Sequence, residues 1–536
     1  MRQVRAVLAA LLAGTVTLPL CTAVPARASG SSYIRARAGE PSSAPVPARV
    51  SGRPYGVAAT SPSLPGPVRG GVADTPEDCP ADALCGTLRV PLDQEDPAAG
   101  TTAVAYRLVY RRDRSRAAEG TILPNPGGPG MAVIGHRDYT GRYRDLLEDH
   151  DLLLVDPRGV GRSDPLTCRS AGWNGLRGTH AAAVAAARAC GRELGPTLRH
   201  YTTAAAADDI DAVRAHLGID RLDLLGQSYG TYLMTVYARR HPRHVRSIVL
   251  SGAYPLRFDM LGRPSAHAMR RALRLLCHRS GGACDGGEVL GDLSTMAARL
   301  DEHPARYGAG AVLDETALAS TVYKLTSGHV DRLGRLPSAL RAGVHGDLGP
   351  LEELAGQVRP ISGSSGGGRF SMPMYVTIAC NDYPVLWDRR APVHARARQF
   401  GALLHHLEAR DYRPFRPAAW VHGIADLGDL CVGWPDHRER ARVRLGRAPD
   451  VPVLVLTGEL DTGTPTEEAL QAADQYRRAE VIEVPSAGHV AENDRRAGAC
   501  VVSLETRFIR HRHIADPACL RHIPPVPVDS VNHPLT

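Results

Sequence analysis

The sequence predicts an α/β protein: a mostly parallel central sheet flanked by helices, with a large and mainly helical lid inserted between core strands. Three observations carry this. Short apolar runs alternate with amphipathic helical stretches between residues 121 and 250, the pattern of strands joined by crossover helices. Near Ala253 the alternation gives way to helical and loop sequence, which continues to Pro449. The strand rhythm then resumes at Val451–Leu456 and Val481–Val484. The expected organisation is therefore a signal segment over 1–28, a linker or pro-segment over 29–73, and a first core part over 74–252. The lid follows over 253–449, and a second core part over 450–536.

Each part has its own justification. Arg2 and Arg5 precede an apolar run from Val7 to Leu20, and Ala26-Arg27-Ala28 forms a small-x-small site before Ser29. This is the layout of a secretory signal. The run is too short and too interrupted for a stable membrane span. Residues 29–73 are rich in Pro, Ser, Gly, Ala and Arg, and such a stretch cannot bury enough apolar surface to order itself. A disordered spacer and an inhibitory propeptide both remain open for it.

The net charge of +8 resides mostly in this N-terminal region, where eight arginines and one acid, Glu40, precede Asp74. The remaining body is nearly neutral, which removes any electrostatic case for binding nucleic acid.

Within the core, Thr121–Leu123 and Asp151–Val155 read as short buried strands, each ending in a Gly- and Pro-rich turn. Ala204–Leu217 reads as an amphipathic helix, with Ile210, Val213 and Leu217 at helical spacing and Gly218 placed to end it. Leu222–Leu225 is the next strand, Tyr229–Arg240 a helix and Val245–Leu250 a further strand. In the lid, Ser265–His278 reads as helix and Ser362–Gly368 as a Gly/Ser-rich loop.

Eleven cysteines become ten when Cys21 leaves with the signal. An even number in an exported chain points to disulfides. Nearness couples Cys79 with Cys85, Cys168 with Cys190, Cys277 with Cys284 and Cys500 with Cys519, and leaves Cys380 with Cys431. There is no CxxC pair and no HExxH, so neither a zinc site nor any other metal or cofactor is expected.

The strongest chemical signal is Gly226-Gln227-Ser228-Tyr229-Gly230, between a strand and a helix. A nucleophile elbow needs that context, because small residues must flank a tight, strained turn that lifts the serine oxygen clear of the sheet. A serine hydroxyl needs a base, and in such folds the acid and the histidine follow the serine along the chain. His489 sits in a small-residue turn directly after Val481–Val484. Glu459 and Asp461 both follow Val451–Leu456. Asp461 is the expected acid, with Glu459 its competitor by position. An oxyanion hole needs backbone N–H groups. In Asn125-Pro126-Gly127-Gly128-Pro129-Gly130 the prolines have no N–H, which leaves Gly127 and Gly128 as the possible donors near the front of the loop; the favoured pair is Gly128 with Tyr229. These features together predict the α/β-hydrolase fold.

The chain resembles the secreted tripeptidyl aminopeptidases of actinobacteria, within the prolyl aminopeptidase (S33) family. The resemblance rests on Cys85-Gly86-Thr87-Leu88, Val90-Pro91-Leu92-Asp93, Asn125–Gly130, Asp156-Pro157-Arg158-Gly159 through Ser163, and Gly226–Thr231. It continues with Cys380-Asn381-Asp382, Cys431, Trp434-Pro435, Gly458–Pro465 and Gly488-His489. It implies Ser228, Asp461 and His489 as the triad, and so favours Asp461 over Glu459. It also implies the release of short peptides, tripeptides foremost, from free N-termini through an acyl-enzyme.

An aminopeptidase must hold a free ammonium, and a buried ammonium needs a carboxylate partner. Asp382, in a resembling segment of the lid, is the candidate. The expected protein is a monomer outside the cell, off the membrane once the signal is cleaved, with peptide or protein N-termini as substrate. The competing reading is a secreted esterase or lipase using the same triad. A binding protein that had retired the site would tend to have lost a triad member. An epoxide hydrolase or dehalogenase would carry Asp at the elbow.

Overall fold

The computed structural model describes residues 79–530, apart from 136–138, 171–179, 309, 359–368, 425–427 and 436–444. The signal segment, the 29–73 stretch and the Ser362–Gly368 loop lie outside the described residues.

Six strands precede the insertion: β1 (Ala83–Pro91), β2 (Thr101–Val109), β3 (Gly120–Asn125), β4 (His150–Val155), β5 (Leu222–Gln227) and β6 (Val245–Ser251). The insertion holds a small hairpin of β7 (Ala305–Tyr307) and β8 (Ala311–Leu313) among its helices. Two strands follow it, β9 (Val453–Gly458) and β10 (Ala479–Val484). The central sheet has eight strands in the order β1-β2-β4-β3-β5-β6-β9-β10. Only β2 runs against the rest, being antiparallel to both β1 and β4. Every other neighbouring pair is parallel. The insertion therefore separates β6 from β9, which lie side by side in the sheet.

The parallel strands read as near-continuous apolar runs because both faces are covered. Successive residues serve opposite faces. Leu222 and Leu224 of β5, with Val453 and Val455 of β9, pack on one face against the helices Thr203–His216 and Tyr229–Arg240. Leu225, Leu454 and Leu456 face the other way, towards the helix Gly498–His511 through Val501, Leu504 and Phe508. The helix Thr203–His216 starts where Thr202 accepts a hydrogen bond from the Ala205 N–H. It stops before Gly218, which has φ +68°.

Bridges join Cys79–Cys85, Cys168–Cys190, Cys277–Cys284, Cys380–Cys431 and Cys500–Cys519, the five couples expected from the sequence. Among the described residues no helix is long and apolar enough to cross a membrane.

Candidate active site

Ser228 stands between the end of β5 and the helix Tyr229–Arg240, with φ 55° and ψ −129°. A non-glycine residue in this region is strained, and such strain persists only where the surroundings enforce it. The enforcing contacts are close. The Ser228 N–H donates to the Ser251 carbonyl at 2.9 Å, and the Ser228 carbonyl accepts from the Thr231 N–H at 2.8 Å. A Cβ at Gly230 would lie 2.2 Å from the Asn125 carbonyl oxygen. At Gly226 a Cβ would lie 2.5 Å from the Gly230 carbonyl oxygen, so β3 crowds the second glycine of GxSxG and the turn itself crowds the first.

Asp461 lies beyond β9 and is fully buried. One of its oxygens, Oδ1, accepts the N–H groups of Gly463 and Thr464 at 2.7 and 3.0 Å. The other, Oδ2, takes the Thr464 hydroxyl at 2.8 Å and lies 2.9 Å from His489 Nδ1. His489 follows β10, and its side chain keeps 19% of its surface exposed. Its ring stands over Gly252, where a Cβ would come 2.9 Å from His489 Cε1. Gly252 directly follows Ser251, whose carbonyl holds the Ser228 amide. The structure thus gathers the ends of β5, β6, β9 and β10 around Ser228, Asp461 and His489. Glu459 is turned elsewhere: it pairs with Arg279 and accepts the Ser486 N–H at 2.9 Å.

The glycine loop after β3 lies against the same turn. Gly127 approaches so closely that a Cβ there would be 2.8 Å from the Tyr229 nitrogen, and its φ of +85° suits glycine. The Gly127 N–H is committed to Asn125 Oδ1 at 2.9 Å. That leaves Gly128 as the next donor in the loop. Tyr229 opens its helix, so its N–H belongs to the first turn, where no intrahelical acceptor exists.

Asp382 ends the lid helix Met372–Asp382. Its Oδ2 accepts both the N–H and the hydroxyl of Thr203, each at 2.6 Å. The same hydroxyl lies 2.9 Å from the Tyr229 phenol oxygen. Burial, and secondarily the charge of Asp382, push the Tyr229 phenol well above its ordinary range. Asp382 is therefore one residue removed from the side chain next to Ser228, and it also braces the start of a core helix.

Other participants have no local sequence signal. Thr464 touches both Asp461 and His489, its hydroxyl lying 3.2 Å from the ring nitrogen. The lid residue Ser327 accepts the His489 N–H at 2.6 Å. A buried carboxylate, Glu492, accepts from Gln227 and Ser251, the last residues of β5 and β6. An aromatic chain runs Tyr229–Tyr232–Tyr383–Phe258–Tyr254, with ring centroids 5.0 to 6.2 Å apart. Only a fold that returns distant segments to one edge of the sheet brings these groups together.

Residues 120–283 match the family described as alpha/beta hydrolase fold, and residues 417–519 the family described as TAP-like protein. A tripeptidyl aminopeptidase of Streptomyces lividans is 25% identical over 446 residues, which is 77% of this chain and 80% of that one. The serine protease Hip1 of Mycobacterium tuberculosis is 27% identical over 438 residues, covering 74% and 80%. A carboxylesterase B of Mycobacterium tuberculosis is 34% identical over 204 residues, covering 34% and 38%.

Proposed function

The chain is a serine hydrolase of the α/β-hydrolase superfamily that matches its TAP-like members, and on that footing we propose a secreted aminopeptidase that releases short peptides, tripeptides foremost, from free N-termini. The observation that carries the catalytic part is the joint geometry of Ser228 and His489. The serine is held at φ 55° on a strand-to-helix turn, and the histidine bonded to Asp461 stands over the residue after Ser251. The likeness to peptidases over about three quarters of the chain supports the substrate class.

In this reading His489 takes the Ser228 proton as the hydroxyl attacks the scissile carbonyl. Asp461 holds the ring by Nδ1 and stabilises the imidazolium that forms. The N–H groups of Gly128 and Tyr229 receive the oxyanion. His489 then returns the proton to the leaving amine, and water, activated by the same ring, hydrolyses the acyl-enzyme. Asp382 is the carboxylate that receives the substrate ammonium. Tyr383, the next residue along the chain, packs its ring against Phe258 with centroids 5.0 Å apart.

The esterase reading draws support from the partial likeness to a carboxylesterase. One substrate set separates the two: matched peptides with free and acetylated N-termini, with products read by mass, beside a simple acyl ester. The aminopeptidase reading expects acetylation nearly to abolish cleavage. Asp382→Asn should weaken kcat/KM on free-amine peptides by roughly 2–5 kcal/mol, the cost of removing one partner from a buried charge pair, and largely spare the ester. Equal loss on both substrates would assign Asp382 to bracing Thr203 alone. Indifference to acetylation would remove the aminopeptidase reading.

A further inference from the structure

We propose that Glu492 is a positioning residue, a buried strut that sets the separation between the base and the nucleophile; the proposal rests on the triad reading above. Glu492 lies three residues after His489, in the short 3-10 turn Ala491–Asn493. Val490, between them, has the left-handed φ of 57°, and Glu492 is buried. Its side chain accepts from two directions. Its Oε1 takes the side-chain amide of Gln227 at 2.5 Å, and its Oε2 takes the hydroxyl of Ser251 at 2.6 Å.

Both partners belong to the nucleophile's own frame. Gln227 immediately precedes Ser228 and ends β5. Ser251 ends β6, and its carbonyl accepts the Ser228 N–H at 2.9 Å. One carboxylate therefore ties the turn carrying the histidine to the residues on either side of the serine amide. Gln227 is braced in turn by the Tyr139 phenol at 3.3 Å from its Oε1. Nearby Glu505 accepts from the Tyr143 phenol at 2.9 Å. Burial, and then the charge of Glu492, hold the Glu505 carboxyl well above its usual range. Neither Gln227, Ser251 nor Glu492 touches the reacting atoms in the proposed mechanism. Their effect is geometric, and a misplacement of about 1 Å between catalytic groups can cost on the order of 10²-fold in rate.

The test is steady-state kinetics of Glu492→Leu, Glu492→Gln and Ser251→Ala, with Ser228→Ala alongside and folding checked by thermal melts. Glu492→Leu removes both arms and is expected to lower kcat on the order of 10²-fold with KM almost unchanged. Ser251→Ala removes one arm and should lower kcat by roughly tenfold, half of that effect on a logarithmic scale. Glutamine still offers an oxygen to Gln227 and an amide to Ser251, so Glu492→Gln should recover most of the rate. If Glu492→Leu does not fold, Ser251→Ala carries the test. A folded Glu492→Leu or Ser251→Ala with normal kcat overturns the strut. So does a rate that falls only with the folded fraction. Activity surviving in Ser228→Ala would instead overturn the triad reading on which the strut depends.

Discussion

At the scale of single residues, two acids compete two positions apart at the end of β9, and their partners separate them. Asp461 is enclosed by Gly463, Thr464 and His489. Glu459 is held by Arg279 and the Ser486 amide. Asp461→Asn keeps the shape but favours the wrong histidine tautomer, and a loss of about 10⁴ in kcat is the scale of such a change. Glu459→Gln should leave kcat within a few-fold and show itself as a lower Tm, because it breaks a half-buried ion pair rather than a catalytic contact. Kinetics of the two folded variants on one peptide substrate check this. If Glu459→Gln were the slower enzyme, the acid would have to be reassigned. The sequence alone could not rank these acids by position, since both follow the same strand. The ranking came from the resemblance, and its physical reason is Arg279, some 180 positions earlier in the chain.

At the scale of elements, legibility followed burial from β3 onward. The strands β3 to β6 and the helix Tyr229–Arg240 lie between covered faces, so their apolar runs and glycine stops appear directly in the sequence. β1 and β2 gave no such signal, and for β2 burial is not the reason, since seven of its nine residues are buried. In β1 exposed Thr87 and Arg89 interrupt the apolar residues, because it is the outer strand of an antiparallel pair. Glu492 was invisible for a related reason: its partners Gln227 and Ser251 sit on other strands. The helix Thr466–Ala473, after the acid loop, carries a further buried acid, Glu468. Burial first, and the neighbouring charge of Asp461 second, raise its carboxyl from 4.5 to about 8. A carboxyl raised in the fold binds its proton more tightly there than in the unfolded chain. Stability therefore falls as pH rises from about 4.5 to about 8 and levels beyond, each unit of the gap being worth ~1.4 kcal/mol at most. Glu468→Gln removes that slope. Its Tm should exceed the parent's at pH 8, with the difference shrinking towards pH 5. A difference that does not change with pH would rule this account out.

At the scale of the whole molecule, the inserted segment does more than cover the sheet edge, because it braces each loop that carries a candidate catalytic group. Ser327 takes the His489 N–H, and Thr326 meets Thr462 beside Asp461 at 2.8 Å. The Ser371 N–H donates to the Gly130 carbonyl, and Ala132 donates to Arg369, so the lid extends the glycine loop. Asn381 donates to the Leu198 and Tyr201 carbonyls at 2.8 and 2.9 Å and accepts from the Trp434 indole. These bonds join the Cys380-Asn381-Asp382 segment to Trp434 in space. The bridge Cys380–Cys431 closes the longest loop of the five, with a separation of 51 against 6 for Cys79–Cys85. On loop entropy the first is worth about 4 kcal/mol and the second about 2. Replacing both Cys380 and Cys431 with serine should therefore lower Tm more than the same change at Cys79 and Cys85. Its functional effect should also be selective. Asp382 would lose its anchored helix end, while Ser228 and His489 remain set by β5, β6, β9 and β10. Below its Tm the variant should still react with a fluorophosphonate at near the parental rate, yet cleave free-amine peptides poorly. Loss of both together would mean that the lid holds the triad itself in place. Retention of both would mean that the helix end needs no covalent tie, and that the contacts of Asn381 and Asp382 suffice to seat the lid.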